Sequence, residues 1–459
     1  MSTSAADPGT RRRNTELTLL ALAAAIVSLA YATLVFAVEA RSFAELGVSA
    51  AALVAIVLGT HLVLRRFAPL ADPVLLPCAV VLNGLGVVMV RRIDFANRLV
   101  EESSSSLATS QALWSVMGVA ALCALIVALR DHRTLDQYRY LLGMGAVLLL
   151  ALPALPLIGR EINGARIWLE LGVISFQPGE LAKIGLAIFF AAYLAEKRQL
   201  LATATSRLGP VRLPPLRSFG PVALVWAASL LVLVFQRDLG LSLLLFGMFV
   251  VLLYVATERV MYVIGGFGLF ALGAFAAYQV FGHVRQRVDI WLDPFADYQD
   301  QGYQLAQSLF AMGDGGVFGV GLGQGAALGK FPYVSTDFIF SAFAQELGLV
   351  GVTALLLCYF LVAARGFAIA MRCRDEFGTL LAACLAIVFS LQTFVIVGGV
   401  TTLIPLSGMT LPLASYGGSA LISNYLLIGL LLRVSAVDEP SRPRRPAEAV
   451  AGTGGEAGP

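Results

Sequence analysis

The chain has 459 residues, 58% of them hydrophobic and only 13% charged, with a formal net charge of +3. Soluble domains carry roughly 25% charged residues, so this composition excludes a water-exposed globular fold. It also excludes a charge-driven nucleic-acid binder and a transmembrane β-barrel, whose alternating segments of roughly ten residues are absent. What remains is an all-α polytopic integral membrane protein, because lipid offers backbone groups no partners and helices satisfy their own.

At about 20 residues per crossing, apolar runs predict about twelve spans, near 16–38, 48–64, 74–90, 112–129, 139–157, 179–196, 219–236, 239–257, 260–281, 337–364, 377–400 and 416–433. Residues 1–15 are read as an N-terminal tail. Arg11-Arg12-Arg13 precedes a run too long for a signal-peptide core and without a small-x-small cleavage site, so that run is read as the first span. Gln236-Arg237-Asp238-Leu239-Gly240 is read as a tight turn between two spans. The segment 282–336 is the longest non-membrane connection, a length that usually carries function. Residues 434–459, rich in Pro, Gly, Ala and Glu, have too little apolar surface to offset the entropy of ordering and are read as disordered.

Lys and Arg accumulate in cytoplasmic loops. With the N-terminus inside, the inward segments hold 21 of the 32 basic residues and Lys183 alone falls within a span. Both termini are therefore expected in the cytoplasm, with 158–178 and 282–336 outside.

Among residues that carry chemistry, Glu180 and Lys183 lie three apart near the start of a span, hence on one helix face. Ionisable groups at that depth are expensive, and both a structural ion pair and a functional pair in a wet cavity fit. Arg166 suits a phosphate and Trp168 the headgroup level, where a plain interfacial anchor is the simpler reading. The segment 282–336 carries Arg285, Arg287, Gln304 and Gln307 and then a run dense in glycine from Gly313 to Gly323. Asp337 opens a helix at the outer boundary. It is either a first-turn acid favoured by the helix dipole or a general base whose pKa is set by burial against nearby cations such as Arg285 or Arg287. Ser415, Tyr416 and Ser419 break the final hairpin on the outer side, where non-helical backbone is tolerated if it lines a cavity or is buried. Cys78, Cys123, Cys358 and Cys384 sit in apolar runs and Cys373 in a basic loop; His61, His132 and His283 are isolated. No spacing among them suggests a zinc site, so no metal ligands are assigned.

Taken together, several blocks resemble the SEDS family of Shape, Elongation, Division and Sporulation proteins, with a lean toward its RodA-type branch. They are Asn163 to Trp168, Phe176 to Lys183, Gln236 to Gly240, Arg285 to Val288, Gly302 to Gln304 with Gln307-Ser308, Thr336 to Phe340 with Glu346-Leu347-Gly348, and Pro405 to Ser419. This sequence departs from the family pattern at Gly179, Arg237, Gln345 and Ile396-Val397-Gly398-Gly399. The resemblance implies a ten-helix core over 74–433 preceded by two additional helices over 16–66. It implies a lipid II polymerase that releases undecaprenyl diphosphate, with Asp337 as catalytic base and Arg166, Arg285 and Arg287 stabilising the diphosphate. It also implies a class B penicillin-binding protein as partner, within an elongation or division complex. No cofactor is established, although a divalent cation such as Mg²⁺ on the diphosphate is compatible. A lipid II flippase and a non-catalytic scaffold are the rival classes.

Overall fold

The computed structural model describes residues 8–38, 43–100, 106–155, 158–162, 165–172, 174–202, 206–208, 211–213, 216–326 and 333–437. The expected tail beyond 437, residues 1–7 and Asn163-Gly164 of the first family block lie outside these.

In chain order the helices are α1 Pro8–Val38, α2 Phe43–Phe67, α3 Leu75–Val100, α4 Leu107–Ala128, α5 Thr134–Gln137, α6 Arg139–Ala151, α7 Pro178–Ala202, α8 Leu216–Phe235, α9 Leu239–Thr257, α10 Val260–Val280, α11 Gly282–Leu292, α12 Tyr303–Gly315, α13 Ile339–Arg372, α14 Glu376–Val400 and α15 Gly418–Val437. Among the described residues, ten helices are long and apolar enough to cross a membrane. Two shorter apolar helices, Arg139–Ala154 and Phe219–Phe235, occupy the places of the other two expected spans. The fold is thus an all-α multi-pass membrane bundle.

Two expected helix boundaries move, and two expected connections carry regular structure. The first helix begins at Pro8, inside the expected tail, because the arginine run is helical and Arg13 turns inward onto Glu16 and the Ala71 carbonyl. The third helix runs on from the expected 90 to Val100, since the buried Arg92 and Asp94 are both partnered. The segment 158–178 folds into an antiparallel sheet of β1 Gly159–Ile162, β2 Ala165–Leu171 and β3 Ile174–Phe176. The segment 282–336 carries two helices, α11 and α12.

The packing has a centre. Most of α7, α14 and α15 is buried, whereas α10 buries almost nothing. Helix α7 starts at a proline, whose missing N–H costs nothing in the first turn. Asp238 caps α9 by accepting from Leu241 N at 2.9 Å, and Asp375 caps α14 through Gly378 N at 2.7 Å. The N-terminal pair is fastened by a buried cluster in which Glu16 on α1 meets Arg13 and, at 2.7 Å, His61 Nδ1 on α2.

Helix α13 bends at Gly348, whose φ of +65° suits glycine. A Cβ there would meet Gly319 N at 2.2 Å and the Phe318 carbonyl carbon at 2.5 Å. The glycine run interlocks with this bend: Val320 N and Gly321 N donate to the carbonyls of Gln345 and Glu346, and Leu349 N and Val350 N to those of Gly316 and Val317. The run is therefore a close backbone-to-helix contact.

Candidate active site

Asp337 lies in the turn that leads into α13, half-buried, with its N–H on the Tyr333 carbonyl at 3.1 Å. The Ser-Tyr-Gly-Gly-Ser block straps this turn in place. Ser415 Oγ donates to Thr336 O at 2.6 Å and Tyr416 N to Ser335 O at 2.8 Å. Gln111 Nε2 on α4 donates in turn to Ser415 O at 3.0 Å. Burial pushes the Asp337 carboxyl up to about 6, against the hydrogen bond from Thr336 and the Arg287 guanidinium, which favour the charged form.

Arg287 reaches in from α11, donating through Nη1 to the carbonyls of Leu406 and Ser407 at 3.0 and 3.1 Å. Between the two groups stands Gly408, with φ of +71°. A Cβ on it would lie 3.6 Å from Arg287 Nη2 and 3.8 Å from Asp337 Oδ2, so carboxylate and guanidinium converge on one small space.

The 401–417 loop links this space to the bundle centre. Thr410 O accepts from Gln392 Nε2 at 2.9 Å, and Gln392 Oε1 accepts from Lys183 Nζ at 2.8 Å. Lys183 pairs with Glu180 at 2.6 Å, and neither has more than a trace of exposure. Ser423 Oγ donates to Glu180 O at 2.6 Å, while Ser419 Oγ accepts from Gln177 N at 2.9 Å and so caps the start of α7. Asp238, at the start of α9, is also pushed up to about 6. Burial is the main cause, the Glu180 carboxylate adds to it, and the Leu241 N–H and Arg287 oppose it. Arg166 N donates to Gln236 O at 3.3 Å, bringing β2 beside the same turn. Arg166 Nε is buried with no hydrogen-bond partner among the described residues.

Of the expected site residues, Asp337, Arg287, Glu180, Lys183, Ser415, Tyr416, Ser419 and Arg166 are thus joined by one set of contacts. Arg285 is not. Two residues from Arg287, it sits on the far side of α11, stacked 5.5 Å from the Tyr278 ring and bonded to Gln279 O. Gln307 Nε2 donates to Tyr298 OH at 2.7 Å; Gln304 lies one helical turn before it on α12, and Trp168 sits opposite Arg160 in the sheet. Sequence reasoning gave no separate role to Asp238, Gly408 and Glu346, which lie within the family blocks, and missed Gln392 and the buried pairing of Arg92 with Glu346 at 2.8 Å. In that pair Glu346 accepts from Gly323 N and Gly325 N and so anchors the glycine run. Gln392 was findable as an amide within an apolar run.

Fold and site define a class: a multi-pass helical membrane protein with a half-buried carboxylate, a facing arginine and a buried Glu–Lys pair at one end of its bundle. Residues 73–439 match the family model described as "Cell cycle protein", which covers FtsW, RodA and SpoVE. The peptidoglycan glycosyltransferase RodA of Mycobacterium tuberculosis is 46% identical over 426 residues, covering 92% of this chain and 90% of that one. The probable peptidoglycan glycosyltransferase FtsW of Geobacter metallireducens is 35% identical, covering 79% and 94%. Among solved structures, a chain from a study of polymerization and crosslinking by a peptidoglycan synthase complex superposes with a TM-score of 0.64 at 30% identity, covering 80% of this chain and 97% of that one. The rod shape determining protein RodA of Thermus thermophilus gives 0.56 at 29%, covering 80% and 96%. The chain belongs to the FtsW/RodA/SpoVE family, the SEDS family that its motifs resemble.

Proposed function

We propose that the chain is a peptidoglycan glycosyltransferase that polymerises lipid II into glycan strands on the outer side of the bacterial cytoplasmic membrane. The observation that carries this reading is the convergence of Asp337 and Arg287 on the space at Gly408. A carboxyl that titrates near 6 is matched to accepting a proton at neutral pH.

In the proposed step the C4 hydroxyl oxygen of the acceptor sugar attacks the anomeric carbon of the lipid-linked strand while Asp337 takes its proton. The bond from that carbon to the diphosphate breaks with inversion, and undecaprenyl diphosphate leaves with the electron pair. Proton removal contributes typically 10²–10⁴-fold, so positioning and charge stabilisation supply most of the rate. The diphosphate is assigned to Arg287, which lies beside Asp337, and to Arg166, whose buried Nε lacks a partner among the described residues, rather than to Arg285 on the other side of α11. Glu180, Lys183 and Gln392 form the floor that holds the 401–417 loop and, through it, the base.

The starts of α7, α9, α13 and α15 and the end of α14 gather at the Asp337 end, and the basic-residue bias assigns that end to the outside, with both termini in the cytoplasm. The partner read from the family resemblance is a class B penicillin-binding protein, which supplies the cross-linking.

The test is purified protein with fluorescent lipid II and its cognate transpeptidase, wild type against Asp337→Ala. Wild type yields glycan polymer and the variant loses at least about 10²-fold. Lipid II crossing vesicles with no polymer formed would make the chain a flippase, and full function in the variant would make it a scaffold.

A further inference from the structure

At the end of the bundle away from Asp337, three residues distant in sequence meet. His132 lies in the turn after α4, Cys373 follows α13 as its C-cap, and Asp375 is the N-cap of α14. One ligand atom from each lies within 4.8 Å of the others. His132 Nε2 is 3.0 Å from Asp375 Oδ1, and Cys373 Sγ is 3.6 Å from the same oxygen. Arg133 Nε adds a third donor to that oxygen at 3.2 Å. Three donors therefore crowd one carboxylate oxygen. Meanwhile the other nitrogen of the fully buried imidazole, Nδ1, has no hydrogen-bond partner among the described residues, and Asp131 Oδ1 faces it at 3.6 Å. A Cβ at Gly378 would lie 2.5 Å from both Cys373 Sγ and His132 Nε2 and 3.0 Å from Asp375 Oδ1, so glycine keeps the space among the three atoms open.

We propose that His132, Cys373 and Asp375 form a zinc site that ties the α4–α5 turn to the α13–α14 hairpin. Zinc takes nitrogen, sulfur and oxygen at about 2.0–2.3 Å in a tetrahedron, which separates N from O by about 3.3 Å and S from O by about 3.6 Å. The observed 3.0 and 3.6 Å need little adjustment. On binding, the thiol releases its proton to solvent, and thiolate plus carboxylate neutralise the dication. The imidazole binds through Nε2 and keeps its proton on Nδ1, turned toward Asp131, the carboxylate–histidine–metal arrangement common around zinc. A thiolate ligand favours zinc over magnesium or calcium, and a fourth position stays open to water. The sequence concealed the site because His132 stands far from the Cys373–Asp375 turn.

Detergent-purified full-length protein is loaded with Zn²⁺, desalted, and its metal counted by mass spectrometry. About one zinc per chain is expected, lost in His132→Ala and Cys373→Ser. Co²⁺ loading is expected to give a sulfur-to-cobalt charge-transfer band that Cys373→Ser abolishes, and Asp131→Asn to weaken zinc affinity roughly tenfold or more. Cys373→Ser leaves the Asp375 cap on Gly378 intact, and an unchanged thermal transition in metal-free buffer establishes that it folds. Monodisperse wild type that retains no zinc, or a cobalt spectrum that survives Cys373→Ser, overturns the proposal.

Discussion

At Asp337 the protein holds a carboxyl where solvation is poor and a cation is near, and burial prevails: the group titrates at about 6 where an ordinary aspartate titrates at 3.8. A base works only when ionised, so polymerisation is expected to fall as the pH drops through 6 and to level off above it, measured as initial rate from pH 5 to 8. The same shift has a stability cost of opposite sign. A carboxyl whose folded pKa is raised binds its proton more tightly in the fold, so it favours the folded state below the ordinary value and destabilises it as pH rises through 6, by about 3 kcal/mol at neutral pH. Asp337→Asn should therefore abolish turnover yet raise the unfolding temperature at pH 7.5 and not at pH 4; a lower temperature at pH 7.5 would show that the carboxylate's contacts outweigh its desolvation. The sequence marked Asp337 by its helix-start position and its T-D-F-I-F block. It could not choose between Arg285 and Arg287, because that depends on how α11 is rotated against the 401–417 loop.

At the scale of elements, two buried devices hold the site. The Glu180–Lys183 pair sits on one face of α7 and reaches α14 through Gln392. Removing one partner strands a buried charge, so Lys183→Ala is expected to cost about 3–5 kcal/mol, whereas Glu180→Leu with Lys183→Met costs clearly less, as a double-mutant cycle by thermal unfolding can read. Spacing alone placed the pair on one face, but its partner across the bundle needed the packing of α7 against α14. The second device is the bend of α13 at Gly348 against the glycine run. Gly348→Ala combines an unfavourable positive φ with backbone atoms within 2.6 Å, and a loss above about 3 kcal/mol or failure to fold is expected. From sequence the run read as a tight turn, since no local pattern reveals a backbone lying against a helix.

Across the whole molecule the site gathers at one end of the bundle, and the bias of basic residues is the ground for proposing that end as the outer one. Ala296→Cys, in the exposed turn after α11, is expected to react with a membrane-impermeant maleimide in intact cells, and Thr134→Cys, at the start of α5, only after permeabilisation; the reverse pattern would invert the topology. Apolar runs long enough to span lipid, and the bias of lysine and arginine, were sufficient for the class of fold and its expected orientation, because both are set by the transfer of individual segments between water and membrane. The two helices within 282–336, the sheet over 158–178, the approach of Arg287 to Asp337 and the contact of Gln392 with Lys183 were decided by tertiary structure alone. Each depends on which faces of separate helices meet, and the uniform hydrophobicity of a membrane segment carries almost no record of that.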